Sequence, residues 1–101
     1  MKRVAFRMRI KPGCEQIYEE KHADIWPELA ESIQRGGTSN YSIFRDGLDL
    51  FAYLESNSEL PPDAPVDEIV LKWWRMMEPY MEYNEDHTPK VWPISEVFHL
   101  D

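Results

Sequence analysis

The sequence predicts an α+β fold of the split-βαβ, or ferredoxin-like, kind: one four-stranded sheet with two helices across one face. Segments that alternate apolar and polar residues lie at both ends of the chain and as a close pair in its middle. Two longer stretches with apolar residues three and four apart separate them. The order is therefore β-α-β-β-α-β, and 101 residues suit a single domain spanning 1–101.

Each element has local grounds. Val4, Phe6, Met8 and Ile10 alternate with Ala5, Arg7 and Arg9, the period of a half-buried strand, and Pro12-Gly13 turns the chain. A helix is expected from about Glu15 toward Arg35, ended by Gly36-Gly37. Pro27 removes a backbone donor and collides with the carbonyl four residues back. The helix therefore either kinks there or restarts, with Asp24 capping a segment that begins near Ile25. Asn40 to Arg45 alternates again, with Tyr41 and Ile43 on one face and Ser42 and Phe44 on the other. Asp46-Gly47 signals a hairpin, and Leu50 to Glu55 returns as the third strand. Ser56 to Pro65 carries three prolines and reads as a loop. Asp67 is an N-cap for a second helix, Glu68 to about Tyr80, with Pro79 ending it. Tyr83 to Pro93 reads as a polar loop holding His87, and Ser95 to Leu100 as the last strand.

A sheet with both helices on one face leaves the other needing cover. That second face is expected to carry Phe51, Tyr53 and Phe98, which predicts a homodimer with two sheets packed face to face.

Composition narrows the functional classes. Lys plus Arg total 11 against 19 Asp plus Glu, a net charge of −8. Such a chain repels a phosphate backbone and has no basic run to offset this, so nucleic acid is not an expected partner and a neutral small molecule is. Cys14 is alone, which rules out an intrachain disulfide and suits a reducing cytoplasm. Val4 to Ile10 is too short, and too broken by Arg7 and Arg9, to be a signal peptide or membrane span, and no membrane partner is expected.

The chemistry concentrates between Tyr18 and Leu29. On a helix Tyr18, His22 and Trp26 stack at four-residue spacing beside an apolar stripe of Ile17, Ile25, Leu29 and Ile33. Each of the three rings combines an apolar body with a hydrogen-bonding tip. A histidine held at the rim of a core is a candidate acid or base near neutral pH; its plainer role is a half-buried side chain with a satisfied hydrogen bond. Glu19-x-x-His22 and Glu96-x-x-His99 have the spacing of helical metal ligands. The second falls in an expected strand, and no His-Glu-x-x-His or cysteine cluster accompanies them, so no metal site is expected. Cys14 precedes a helix start but has no identifiable base, and no phosphate-cradling glycine loop supports a nucleotide cofactor. His87 and His99 read as surface or packing residues. Trp73 and Trp74 point about 100° apart on a helix, so one can enter the core while the other borders a groove, although spacing alone favours both as core aromatics. With Tyr18, His22, Trp26 and Tyr41 they suit a polar ligand with apolar C–H faces, such as a small sugar.

The run Tyr18-Glu-Glu-Lys-His22-Ala-Asp-Ile-Trp26-Pro27-Glu28-Leu29 closely resembles the signature of the L-rhamnose mutarotases. Asn40-Tyr41-Ser-Ile, Lys72-Trp73-Trp74 and Glu96-Val97-Phe98 resemble it too, in the family's order and over nearly the whole chain. The resemblance implies a cytoplasmic, cofactor-free homodimer with a ferredoxin-like, dimeric α+β barrel fold. It also implies an isomerase that interconverts the α and β anomers of L-rhamnose. By matching positions it implies His22 as the proton donor and Tyr18, Tyr41, Trp73 and Trp74 as sugar-binding residues. Glu59 to Pro65 is more proline-rich than the family's usual segment, and Lys90 to Ile94 is atypical. Both lie outside the matched motifs and bear on sugar specificity more than on reaction type. The alternatives are a non-catalytic small-sugar-binding module, or another cofactor-free isomerase or monooxygenase of the same fold.

Overall fold

The first strand, β1 (Lys2–Arg9), pairs antiparallel with β3 (Asp49–Ser56), setting Phe6 opposite Ala52 and Met8 opposite Leu50. Because side chains alternate across a strand, these residues share one face, and Met8, Leu50 and Ala52 are buried there. The computed structural model describes residues 1–58 and 64–101; the middle of the loop expected over Ser56 to Pro65 therefore lies outside the described residues.

Between those strands the chain runs through α1 (Glu15–Ala23), α2 (Pro27–Arg35) and β2 (Thr38–Asp46), and after them through α3 (Glu68–Met77) and β4 (Trp92–Ile94). The four strands form one antiparallel sheet in the order β2-β3-β1-β4. Tyr18, Leu29, Trp73 and Met77 of the helices close over Met8, Ile10, Leu50 and Ala52 of the sheet. Among the described residues the architecture is thus α+β, with three α-helices and a four-stranded antiparallel sheet. Among the described residues, no helix is long and apolar enough to cross a membrane.

The hairpin expected at Asp46-Gly47 is present: Asp46 pairs with Asp49, leaving Gly47 and Leu48 as the loop, with Gly47 at φ +62°. Pro27 does restart the helix, but Asp24 is not the cap. α2 begins at Pro27 itself, and Trp26 holds the N-cap position in extended backbone, at φ −63° and ψ 127°. Proline at the first helical position has no N–H to leave unsatisfied, and it pushes the preceding residue out of the helical region. Asp24 closes α1 instead, its N–H donating to the Glu20 carbonyl.

At the far end of α2, Gly37 sits at φ +95° with its carbonyl accepting from Asn57 N–H at 3.0 Å. A Cβ there would lie 2.5 Å from Asn57 Oδ1 and 3.0 Å from the Ser58 nitrogen. Asp67 does occupy the N-cap of α3, yet its carboxylate accepts from Ser32 Oγ at 2.5 Å on α2 rather than from its own helix. α3 stops at Met77, short of the expected Tyr80, because Pro79 tightens the next residues, Glu78–Tyr80, into a 3₁₀ turn.

The last strand is not where the alternation put it. β4 is Trp92–Ile94, with Ile94 opposite Ala5 and Pro93 opposite Phe6, whereas Ser95 to Leu100 lies outside the sheet. Pro93 is tolerated because β4 is an edge strand. β1 starts at Lys2, so little of it remains to pair beyond the Ala5–Ile94 partners. Alternation in Ser95 to Leu100 therefore meets no partner strand, and Val97, Phe98 and Leu100 are exposed. Phe98 is accordingly absent from the sheet's second face. Phe51 and Tyr53 are on it, joined by Phe44 and Ile94. The Arg7 guanidinium lies on the same face, 4.4 Å above the Trp92 ring.

Candidate active site

Helix α1 is only nine residues long and buries Tyr18, which faces the sheet. His22 follows one turn later. Its Nδ1 lies 3.0 Å from the Tyr18 carbonyl oxygen. A carbonyl can only accept, so Nδ1 carries the hydrogen and Nε2 is the bare nitrogen of the neutral ring. The Tyr18 ring stacks on the imidazole at 4.2 Å, and Trp73 of α3 meets it edge-on at 5.3 Å. Trp26, just before α2, meets Trp73 edge-on at 5.0 Å. Trp26 thus backs Trp73, and two elements, α1 and α3, fix one imidazole. Burial pushes its pKa below the usual 6.5, partly opposed by the bond to the Tyr18 carbonyl.

Tyr41 reaches the site through an irregularity in β2. The register between β2 and β3 shifts between Ser39 and Ser42, and Asn40 sits there at φ +49°. Asparagine tolerates this left-handed conformation better than most residues, and the side chain is tied down, Nδ2 donating to Glu55 Oε1 at 2.7 Å. A bulge of this kind re-aims the next side chain. Here that side chain is Tyr41, whose ring meets Phe6 edge-on at 6.5 Å.

A cleft of about 1020 Å³ brings together Tyr18, His22, Tyr41, Trp73 and Trp74, the five residues singled out from sequence. Trp73 is buried in the core and Trp74 half-buried against it, and both line the cleft. Burial raises the pKa of both Tyr18 and Tyr41, the former further through its proximity to Tyr41 and Tyr83. Both phenols therefore stay protonated near neutrality. Among the described residues neither hydroxyl has a hydrogen-bond partner, which leaves both free for a ligand.

The other chemistry-bearing residues are engaged elsewhere. Glu19 pairs with Arg45 at 2.9 Å and Glu96 with Arg3 at 2.8 Å. His87 Nδ1 lies 2.7 Å from Glu78 Oε2, and His99 Nε2 lies 2.7 Å from Asp101. Cys14 packs against the core at the start of α1. One cleft residue escaped the sequence reading. Tyr83, assigned to a polar loop, lines the cleft and donates its hydroxyl to the Trp74 carbonyl at 2.6 Å. Its only sequence signal is an aromatic two residues after Met81 in otherwise polar surroundings.

A family model described as L-rhamnose mutarotase matches residues 3–100. Proteins named L-rhamnose mutarotase from Bacteroides thetaiotaomicron and Phocaeicola vulgatus are 46% and 45% identical, each over 100% of both chains. A crystal structure of an L-rhamnose mutarotase from Formosa agariphila is similar with a TM-score of 0.89 at 38% identity, covering 100% of both chains.

Proposed function

The chain belongs to the L-rhamnose mutarotase family, and from that premise we propose that its cleft interconverts the α and β anomers of L-rhamnose. It is an isomerase. His22 carries the proton, while Tyr18, Tyr41, Trp73 and Trp74 hold the sugar.

Anomer exchange breaks the C1–O5 bond while the anomeric O1 loses a proton and O5 gains one. Rotation about C1–C2 presents the other face of the aldehyde, and reclosure reverses both transfers. The two oxygens share one carbon, so a single nitrogen serves both. His22 Nε2 takes the O1 proton and gives it to O5; on reclosure it takes the O5 proton and returns it to O1. Atoms and charge balance with no electron transfer. A positioned acid–base group of this kind accelerates the reaction by about 10²–10⁴-fold.

The phenols act as hydrogen-bond donors to sugar oxygens, since burial keeps them protonated. Trp74 lays its ring against sugar C–H groups; the more deeply buried Trp73 offers an edge and steadies the imidazole. The observation that carries this reading is the bond from His22 Nδ1 to the Tyr18 carbonyl, which commits one nitrogen and leaves the other for the substrate.

The same reading takes the strand order β2-β3-β1-β4 as the ferredoxin-like arrangement and the molecule as a homodimer. Two open faces pack together into a dimeric α+β barrel, covering Phe44, Phe51 and Ile94, which one chain leaves exposed. A cytoplasmic location is supported by the single, unpaired Cys14.

Saturation-transfer NMR on L-rhamnose at equilibrium tests the activity. Exchange between the two anomeric signals is expected with catalytic amounts of protein and not without it. Equal exchange in both samples would overturn the reading.

A further inference from the structure

Tyr83 stands among Glu82, Asn84, Glu85 and Asp86, yet its ring lines the cleft and its hydroxyl donates to the Trp74 carbonyl at 2.6 Å. That carbonyl is one of the last four of α3, the group that regular helix geometry leaves without partners. Pro79, just past the helix end, removes another main-chain donor from the same turn. The segment bearing Tyr83 is itself anchored. Glu82 N–H donates to the Arg9 carbonyl at 2.9 Å, Lys90 N–H donates to the Glu82 carbonyl at 3.1 Å, and Tyr83 bridges to Pro89. The phenol is thus a strut from the end of β1 to the last turn of the helix that carries Trp74.

We propose that Tyr83 is a positioning residue for the sugar site, setting where the Trp74 indole stands in the cleft without touching a reacting atom. The proposal rests on the mutarotase reading above. Its hydroxyl hydrogen is committed to a carbonyl, so Tyr83 does not move protons; it acts through Trp74 alone. Burial, then the nearby Glu78 carboxylate, raises its pKa, consistent with a permanently protonated donor.

Tyr83→Phe keeps the ring and deletes the bond. Anomer exchange measured by saturation transfer should show KM raised by about three- to tenfold and kcat within about twofold. The pH profile of kcat/KM should superimpose on the parent's. In ¹⁵N-labelled protein, the indole N–H resonance of Trp74 should move more than those of Trp26 and Trp92. A lower melting temperature with KM, kcat and the Trp74 resonance unchanged would make Tyr83 a brace only and overturn the proposal. A displaced pH profile would make it a proton carrier, which also overturns it. Should the parent protein show no exchange, the mutarotase reading fails separately. The Trp74 resonance then still decides: moved, it upholds the positioning role; unmoved, it removes it.

Discussion

The carbonyl of Tyr18 holds His22 Nδ1 at 3.0 Å while the ring of the same tyrosine stacks on the imidazole at 4.2 Å. One residue thereby sets the tautomer and the plane of the imidazole and contributes to its burial. The first two predictions follow from this pairing.

Removing the imidazole should remove proton transfer and little else. His22→Ala is expected to lower turnover at least about tenfold, since a positioned acid–base group contributes on the order of 10²–10⁴. The hydrodynamic size should stay the same. Saturation-transfer rates decide it, and an unchanged rate would disqualify His22.

The lowered pKa of His22 gives a pH dependence of definite sign. Its folded pKa lies below the unfolded value of about 6.5, so the unfolded state binds a proton first as pH falls. The stability it contributes is complete above that value and is lost as pH drops through the folded pKa. kcat/KM should fall along an acid limb centred below 6.5, and His22→Ala should abolish that limb. A limb centred above 6.5 would contradict burial as the governing influence.

Asn40 tests whether backbone geometry aims Tyr41. Asn40→Ala places a residue without a tethering side chain at φ +49°, at a cost of about 1–2 kcal/mol. KM for the sugar should rise with it. Asn40→Gly accepts the same φ and should recover most of the affinity. Equal KM values in the two variants would detach the bulge from the site.

The open sheet face tests the assembly. In the proposed face-to-face dimer, Phe51→Glu puts a charge into the seam and should weaken association at least about tenfold in sedimentation experiments. A parent protein that sediments only as a monomer at micromolar concentration would remove the face-to-face arrangement.

Gly37→Ala should destabilise the fold by about 1–3 kcal/mol in urea unfolding, because φ is +95° and a Cβ would press on Asn57 and Ser58.

What the sequence disclosed was local, and what it concealed was mostly pairing. The Asp46-Gly47 turn encodes its own geometry, so the hairpin was legible residue by residue. Pro27 announced a break in the helix, but whether Asp24 or Trp26 took the N-cap depended on proline's constraint on its neighbour. The fourth strand failed for a different reason. Ser95 to Leu100 has the better alternation, yet strand formation requires a partner, and β1 offers its edge to Trp92–Ile94. In the site, Tyr18, His22 and Trp26 were readable as a helical stripe, although the break at Pro27 puts Trp26 beside Trp73 and leaves the stacking to the other two. Tyr83 was hidden because the partner of its hydroxyl is a main-chain carbonyl, which no side-chain pattern reveals.

Tyr18 is the buried residue of α1, and so the mooring of the short helix that bears His22 as well as a wall of the cleft. This makes the scaffold's evolutionary freedom lopsided. If the cleft holds the sugar as proposed, a change at Tyr18 disturbs the cleft wall and the imidazole together. Drift around Tyr41 on β2, or at the Trp74 end of α3, leaves the imidazole's mooring as it is. On that proposal, altered sugar preference is reached more readily by change on β2 and α3 than on α1.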